Sequence, residues 1–263
     1  MRQKRNDFNY RVGKVIVCAV VLFVLIGCVY TPYDPNGMNG ALKNAAPSLA
    51  HPFGTDNFGR DVLSRVMKGA GTTFFVGLCT VAIGGIIGTL LGAVTGYYGG
   101  LFDEILMRLN DGLTSFPSIL LALVFVSILG PGKYNIILAL GIIFIPSFAR
   151  VVRSEYITQK QMDYVKNAKL MGASDFRIMF VHILPNTRPI LLSSLTIGFN
   201  NAVLAEAGMS YLSLGVQPPD ASLGRMLSEA QAYLFSAPWV ALAPGILIVL
   251  TVLGFSMVNE DAG

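Results

Sequence analysis

Six apolar runs punctuate the chain, at residues 15–30, 74–98, 116–129, 135–152, 189–214 and 238–258, and polar or turn-rich stretches separate them. A helix needs about 20 mostly apolar residues to cross a bilayer core of about 30 Å. Most of these runs approach that length, so the pattern predicts a bundle of six transmembrane helices. Pro117 stands at the start of the third run, where its missing amide costs least, and Pro146 predicts a kink in the fourth. Residues 159–186 follow a different rhythm. Met162, Val165, Ala168 and Leu170/Met171 recur at helical spacing up to Gly172, a residue suited to a left-handed C-terminal cap. Ser174 is placed as an N-cap and Asp175 puts negative charge at the positive end of the next helix dipole. Phe176, Met179, Phe180, Ile183 and Leu184 then form one apolar stripe before Pro185, which is expected to end the helix. Two short amphipathic helices bent at a glycine suit a groove on a partner protein rather than a membrane span.

Composition narrows the class. The chain of 263 residues is 53% hydrophobic and 13% charged, too little polar surface for a soluble globule of this length. An all-α integral membrane protein is expected, in contact with lipid. The net charge of +4 does not point to nucleic acid, because the cations flank apolar runs and form no patch with interleaved aromatics. Their distribution sets topology instead. With six spans and both termini cytoplasmic, thirteen Lys and Arg fall inside and six outside. The insert at 159–186 then lies in the cytoplasm. Residues 1–14 are expected as a basic cytoplasmic tail, 15–30 as the first span, 31–73 as an extracytoplasmic segment, 74–258 as the five-helix core including the insert, and 259–263 as a cytoplasmic tail. Leu25-Ile26-Gly27-Cys28 also has the form of a lipoprotein signal, but a mature lipoprotein is normally soluble and this chain has five more apolar runs.

Candidate chemistry is sparse. Gly84, Gly88, Gly92 and Gly96 stand at strict four-residue spacing, a ladder that lets a second helix approach closely. Asn200, Asn201 and Glu206 lie in the fifth span. The two Asn fall near mid-membrane, facing a pathway or bonding to another helix, while Glu206 is expected near the outer interface in contact with solvent. In 31–73, Asp56, Arg60, Asp61 and Arg65 are placed to pair with one another, and His51 beside Asp56 and Asp61 lacks the second His a metal site would want. Leu223, Met226, Leu227, Ala230 and Leu234 mark a short amphipathic helix expected on the outer membrane face. Cys18, Cys28 and Cys79 have no metal-ligand spacing. No Gly-x4-Gly-Lys-Ser/Thr loop occurs, so the chain has no phosphate loop of an ATPase. His51 and His182 fall on opposite sides of the membrane, which leaves no His-based triad and no catalytic residue to name.

Three stretches resemble one family. Ala168, Gly172 and the spacing to Leu184-Pro185-Asn186 are similar to the cytoplasmic coupling loop of binding-protein-dependent ABC importer permeases. The segment His51-Pro52-Phe53-Gly54-Thr55-Asp56, with Gly59-Arg60-Asp61 and Leu63-Ser64-Arg65, resembles the oligopeptide, dipeptide and nickel branch, as does the run 207–219. Two stretches depart from the pattern: Lys166-Asn167-Ala168 replaces the loop's Glu-Ala-Ala, and Leu223-Gly224 replaces a Trp-Gly. The resemblance implies a type I importer permease in a bacterial inner membrane, assembled with a second permease, two cytoplasmic ATPases and an extracytoplasmic substrate-binding protein. ATP and Mg would be used by the ATPases, with no cofactor or metal held by this chain. It assigns ATPase coupling to Asp163, Lys166, Ala168, Gly172, Ala173, Phe176, Met179, Leu184 and Pro185. Peptides are the expected cargo, with nickel or a metal chelate as the alternative; a non-transporting membrane scaffold is the reading from another class.

Overall fold

The computed structural model describes residues 2–259, with side chains from Phe8 onward. The expected tail 259–263 therefore lies outside the described residues beyond Asn259. Ten α-helices and short connecting turns account for most of this length, and the described residues contain no strand beyond a single Thr55–Asp61 bridge.

The first helix, α1 (Arg2–Val29), absorbs the expected basic tail into its own first turns. Nothing in that stretch breaks a helix, and Gly13 lets α1 close on Met257 in α10 (Trp239–Asn259); an added Cβ would come within 2.7 Å of the Met257 Cβ. Further along, Gly27 lies against the Met67 backbone, so Gly27-Cys28 serves close packing of α1 on α2 (Val62–Tyr98). Helix α2 begins before the expected position 74 because Asp61 caps it, accepting from the Ser64 amide at 2.8 Å, and no breaker follows. Its 37 residues span roughly 55 Å, well beyond a hydrocarbon core. Gly99 and Gly100 both take positive φ and turn the chain into α3 (Gly100–Thr114), a helix where a loop was expected. It meets α4 (Ser118–Leu129) at 88°. The 12 residues of α4 reach only about 18 Å, so it cannot cross alone. Five helices are long and apolar enough to span, and the α3–α4 pair makes up to six if counted as one broken span.

Helix α5 (Lys133–Gln159) continues through Pro146 and outlasts the expected end at 152. The glycine ladder of α2 packs against it. Cβ atoms built on Gly84, Gly88, Gly92 and Gly96 would lie 2.8 Å from Phe144 Cβ, 2.6 Å from Phe148 Cβ, 2.5 Å from the Ala149 carbonyl and 2.7 Å from the Arg153 carbonyl. Lipid gives helices no hydrophobic reason to associate, so this close fit is what holds α2 to α5. The chain then forms α6 (Asp163–Leu170) and α7 (Asp175–Arg177), widens to a π turn over Ile178–Ile183, tightens over Leu184–Thr187 and enters α8 (Arg188–Tyr211). Pro185 bends this path without ending it, because a proline in the first turn of the tightened segment gives up no helical hydrogen bond.

One core cluster joins α1, α2, α8, α10 and α9 (Leu223–Ala230); a second joins α2, α4 and α5; a third holds α6 and the π turn to the ends of α2 and α5. The apolar face of α9 was expected on the lipid surface. Instead Leu223, Met226 and Ala230 are buried among Val62, Val66 and Ala70, and Gly224 sits directly on the Ala207 backbone, where no side chain fits. Because α1 and α2 run antiparallel, the described ends of the chain lie at the same end of the bundle as the insert.

Candidate functional site

The insert is built from local rules. Helix α6 closes with both hydrogen bonds of a Schellman cap: Ala173 N–H donates to the Ala168 carbonyl at 3.0 Å and Gly172 N–H to the Lys169 carbonyl at 3.1 Å. Gly172 takes the φ of +79° that this cap requires. Ser174 then caps α7, its hydroxyl accepting from the Arg177 amide.

Three side chains tie this insert to the spans. Tyr156, buried in α5, donates to the Met179 carbonyl at 3.0 Å; Tyr97 donates to Asp175 at 2.6 Å; and Lys160 donates to the Gly96 carbonyl at 2.9 Å, capping the C-terminal end of α2. None of the three was singled out from sequence. Polar residues near a span end have no periodic signal, and only the fold brings Tyr97 to Asp175.

The expected five-residue stripe divides between two faces. Val165, Ile178, Met179 and Ile183 bury against Ala93, Val152 and Tyr156, while Phe180 and Leu184 are half-buried. Met179 therefore supports the insert from within. The outward apolar face is Leu170, Met171 and Phe176, which are 86%, 87% and 69% exposed. The π turn rotates the residues after Ile178 relative to a regular helix, so the simple i, i+3, i+4 count fails there. Asp163 and Lys166 are both exposed and pair with each other at 3.0 Å, Ala168 and Ala173 belong to the cap, and Pro185 lies at the bend into α8.

The three candidate pathway residues separate. Asn200 turns to α10, donating to the Val252 carbonyl at 3.3 Å and the Ser256 hydroxyl at 3.1 Å. Asn201 faces the other way, into a groove of about 530 Å³ lined by α4, α5 and α8. Glu206 is fully buried, which corrects the expectation of solvent contact. Helix α9 and the turn before it cover the end of α8, and Ser210 donates to the carboxylate at 2.6 Å, with the Thr73 and Ser222 hydroxyls also beside it.

At the end of the bundle opposite the insert, residues 31–61 fold over α2 and α9. Arg60 bonds Asp56 at 2.6 Å and Glu229 at 2.8 Å, and Arg65 reaches the same Glu229 oxygen at 3.2 Å. Arg225 completes the group by bonding the other Glu229 oxygen at 3.2 Å. Asp61 stands apart, occupied by the α2 cap and by His51 Nδ1 at 2.8 Å, so His51, Asp56 and Asp61 do not converge. Glu229 escaped the sequence reading because it lies far along the chain from Arg60 and Arg65.

A polytopic helical bundle with a helical insert docked at one end and an open groove along its spans has the architecture of a transporter's membrane subunit. A family model for the binding-protein-dependent transport system inner membrane component matches residues 88–259, and the chain belongs to that family. It is 39% identical to the dipeptide transport system permease protein DppC of Alkalihalophilus pseudofirmus over 95% of this chain and 82% of that protein. Similarity to the glutathione transport system permease protein GsiD of Escherichia coli is also 39% identity, over 98% and 86% of the two chains. In fold it matches a chain of the inward-facing MetNI methionine ABC transporter, with a TM-score of 0.58 at 20% identity over 77% of this chain and 96% of that one. The fold is thus that of a type I ABC importer permease.

Proposed function

We propose that this chain is one of two permease subunits of an ATP-driven peptide importer, with residues 159–186 as the element that couples it to a cytoplasmic ATPase. The observation that carries the coupling role is the two-sided insert: one face is fixed to α2 and α5, and the other presents Leu170, Met171 and Phe176 to solvent at the bundle's end. Exposed apolar groups on a rigid support suit a groove on a partner. The substrate class rests on the dipeptide and glutathione permeases to which nearly the whole chain is similar.

In this reading the insert and both chain ends are cytoplasmic, and residues 31–61 face the substrate-binding protein. ATP with Mg binds at two ATPase subunits and draws them together, the insert moves with them, and the spans rock to open the path toward the binding protein. Hydrolysis returns the path inward. The coupling free energy arises because the insert contacts the two ATPase arrangements differently. Tyr97, Tyr156 and Lys160 make the insert a rigid extension of α2 and α5, so movement of one is movement of the other.

Affinity purification of the tagged chain from mild detergent, followed by reconstitution, tests this. The wild-type chain is expected to bring a second permease and two ATPases and to couple hydrolysis to peptide uptake. Phe176→Asp, which puts charge into the docking face, and Gly172→Pro, which cannot adopt φ +79°, are each expected to abolish uptake with membrane insertion intact. Retained uptake in both variants would sink the coupling role.

A further inference from the structure

The groove beside Asn201 carries unpaired hydrogen-bonding groups and no charge. Its polar lining is Ser118 of α4, Ser147 of α5, and Ser194 and Asn201 of α8, set among residues such as Ile197 and Leu204. Several hydroxyls elsewhere on these helices bond back to their own backbone: Ser127 to the Leu123 carbonyl at 2.7 Å, Thr158 to Ser154 at 3.2 Å and Thr196 to Leu192 at 2.9 Å, though Ser154 and Ser193 make no such bond. Such back-bonding is the ordinary fate of a Ser or Thr in a helix. Among the described residues, the four groove side chains have no intramolecular side-chain partner. Neighbouring Asn200 is committed to α10, so the two adjacent amides have been given different tasks by their positions on α8. On α5, Ile143, Ser147 and Val151 fall at i, i+4 and i+8, and on α8, Ser194, Ile197, Asn201 and Leu204 follow helical spacing. Both sets form one continuous wall.

We infer that Ser118, Ser147, Ser194 and Asn201 form a binding wall for the main-chain amides of a peptide in transit, an assignment that rests on the reading of this chain as a peptide permease. A hydroxyl offers one donor and two lone pairs, and a carboxamide offers both kinds of group, so together they match an amide's N–H and C=O in either direction. The wall carries no charge, so the ionised ends of a peptide find no counter-charge on it, whereas the neutral main-chain amides between them exchange hydrogen bonds one for one. Recognition of the main chain is also indifferent to side-chain identity, and the aliphatic positions between the polar ones tolerate varied residues. The wall thus reads the feature that all peptides share.

The test uses the full complex that co-purifies with the tagged chain, reconstituted with its binding protein, and two probes: trialanine and trialanine N-methylated at an internal amide. The chain carries Ser147→Ala, Ser194→Ala and Asn201→Leu together; Thr196→Val on the same helix is the control, since that hydroxyl is satisfied internally. Losing several hydrogen bonds of this kind is expected to lower trialanine uptake about tenfold or more. The wild-type preference for trialanine over its N-methylated form should also shrink in the triple variant. The same binding protein serves both complexes, so its own preference cancels when the two ratios are compared. If the Asn201 change disturbs assembly, the Ser147→Ala, Ser194→Ala pair is read by the same ratio. Wild-type uptake with an unchanged rate and preference in the variant overturns the wall and leaves the peptide importer standing. A wild-type complex that hydrolyses ATP but moves no peptide overturns the importer reading, and the wall falls with it.

Discussion

Substituting alanine for glycine should have opposite effects at two helical positions of this chain. A Cβ on Gly92 would stand 2.5 Å from the Ala149 carbonyl oxygen, 2.8 Å from the Val152 Cβ and 2.9 Å from the Arg153 amide nitrogen. No side-chain rotation relieves these contacts, because two of the three atoms are backbone. Ordinary carbon contacts lie near 3.5–4.0 Å, so α5 must retreat by roughly 1 Å, and a gap of that size forfeits a quarter to a half of each neighbouring dispersion contact. Overpacking of this kind costs about 1–3 kcal/mol, and this backbone-bound case belongs toward the upper end. Alanine returns about 1 kcal/mol through its helix propensity. Gly92→Ala is therefore expected to destabilise the chain by a net of roughly 1–2 kcal/mol. Gly112 in α3 supplies the comparison, with no heavy atom within 4 Å of its would-be Cβ. There the propensity gain stands alone, and Gly112→Ala should be neutral or stabilising by up to about 1 kcal/mol. Thermal unfolding of the purified chain in mild detergent, followed by loss of helical circular dichroism, reads both. Gly92→Ala unfolding at or above the wild-type temperature would refute the packing argument.

Two other expectations follow from named contacts. Glu229→Gln removes the charge shared by the buried Arg60 and Arg65 and the part-exposed Arg225; Asp56 still faces both buried arginines, so the loss is about 1–3 kcal/mol. Limited proteolysis should then cut residues 31–61 much faster than in the wild type; an unchanged cleavage rate would show that the ion cluster is not what holds that segment. Tyr97→Phe combined with Tyr156→Phe deletes two of the insert's struts, each worth about 0.5–1.5 kcal/mol. The ratio of ATP hydrolysed to peptide imported by the assembled complex should rise, and a ratio equal to the wild type would remove both tyrosines from the coupling path.

Local features of the insert were readable in the sequence because they follow from local physics. Gly172 terminates α6 through a cap needing only neighbouring residues, and Ser174 starts the next helix in the same way. The glycine spacing in α2 likewise announced a close neighbour, although nothing in the sequence identified it as α5. Length and hydropathy found the long spans but misjudged the ends of α2 and α5, since a helix continues past the apolar stretch wherever a cap or packing supports it. Periodicity misled in two places. A π turn re-aimed the residues after Ile178, and the amphipathic pattern of α9, equally suited to lipid or protein, found its partner in α2. Distinguishing Asn200 from Asn201 required the neighbouring helices, because adjacent positions on a helix face about 100° apart and the sequence does not say which direction is occupied.

The contacts between the beginning and end of the chain set the order in which the protein can be completed. Helix α1 packs along α10, residues 31–61 are held by Glu229, and the Trp239 indole donates to the Thr55 carbonyl at 3.2 Å. During synthesis the first helix and the segment after it wait, with Arg60 and Arg65 short of their shared carboxylate, until residues near the C-terminus arrive. A chain interrupted before Trp239 keeps most of its spans and its insert but exposes the seam where α10 belongs. Until α10 is in place, the apolar flank of α1 that it covers stays open.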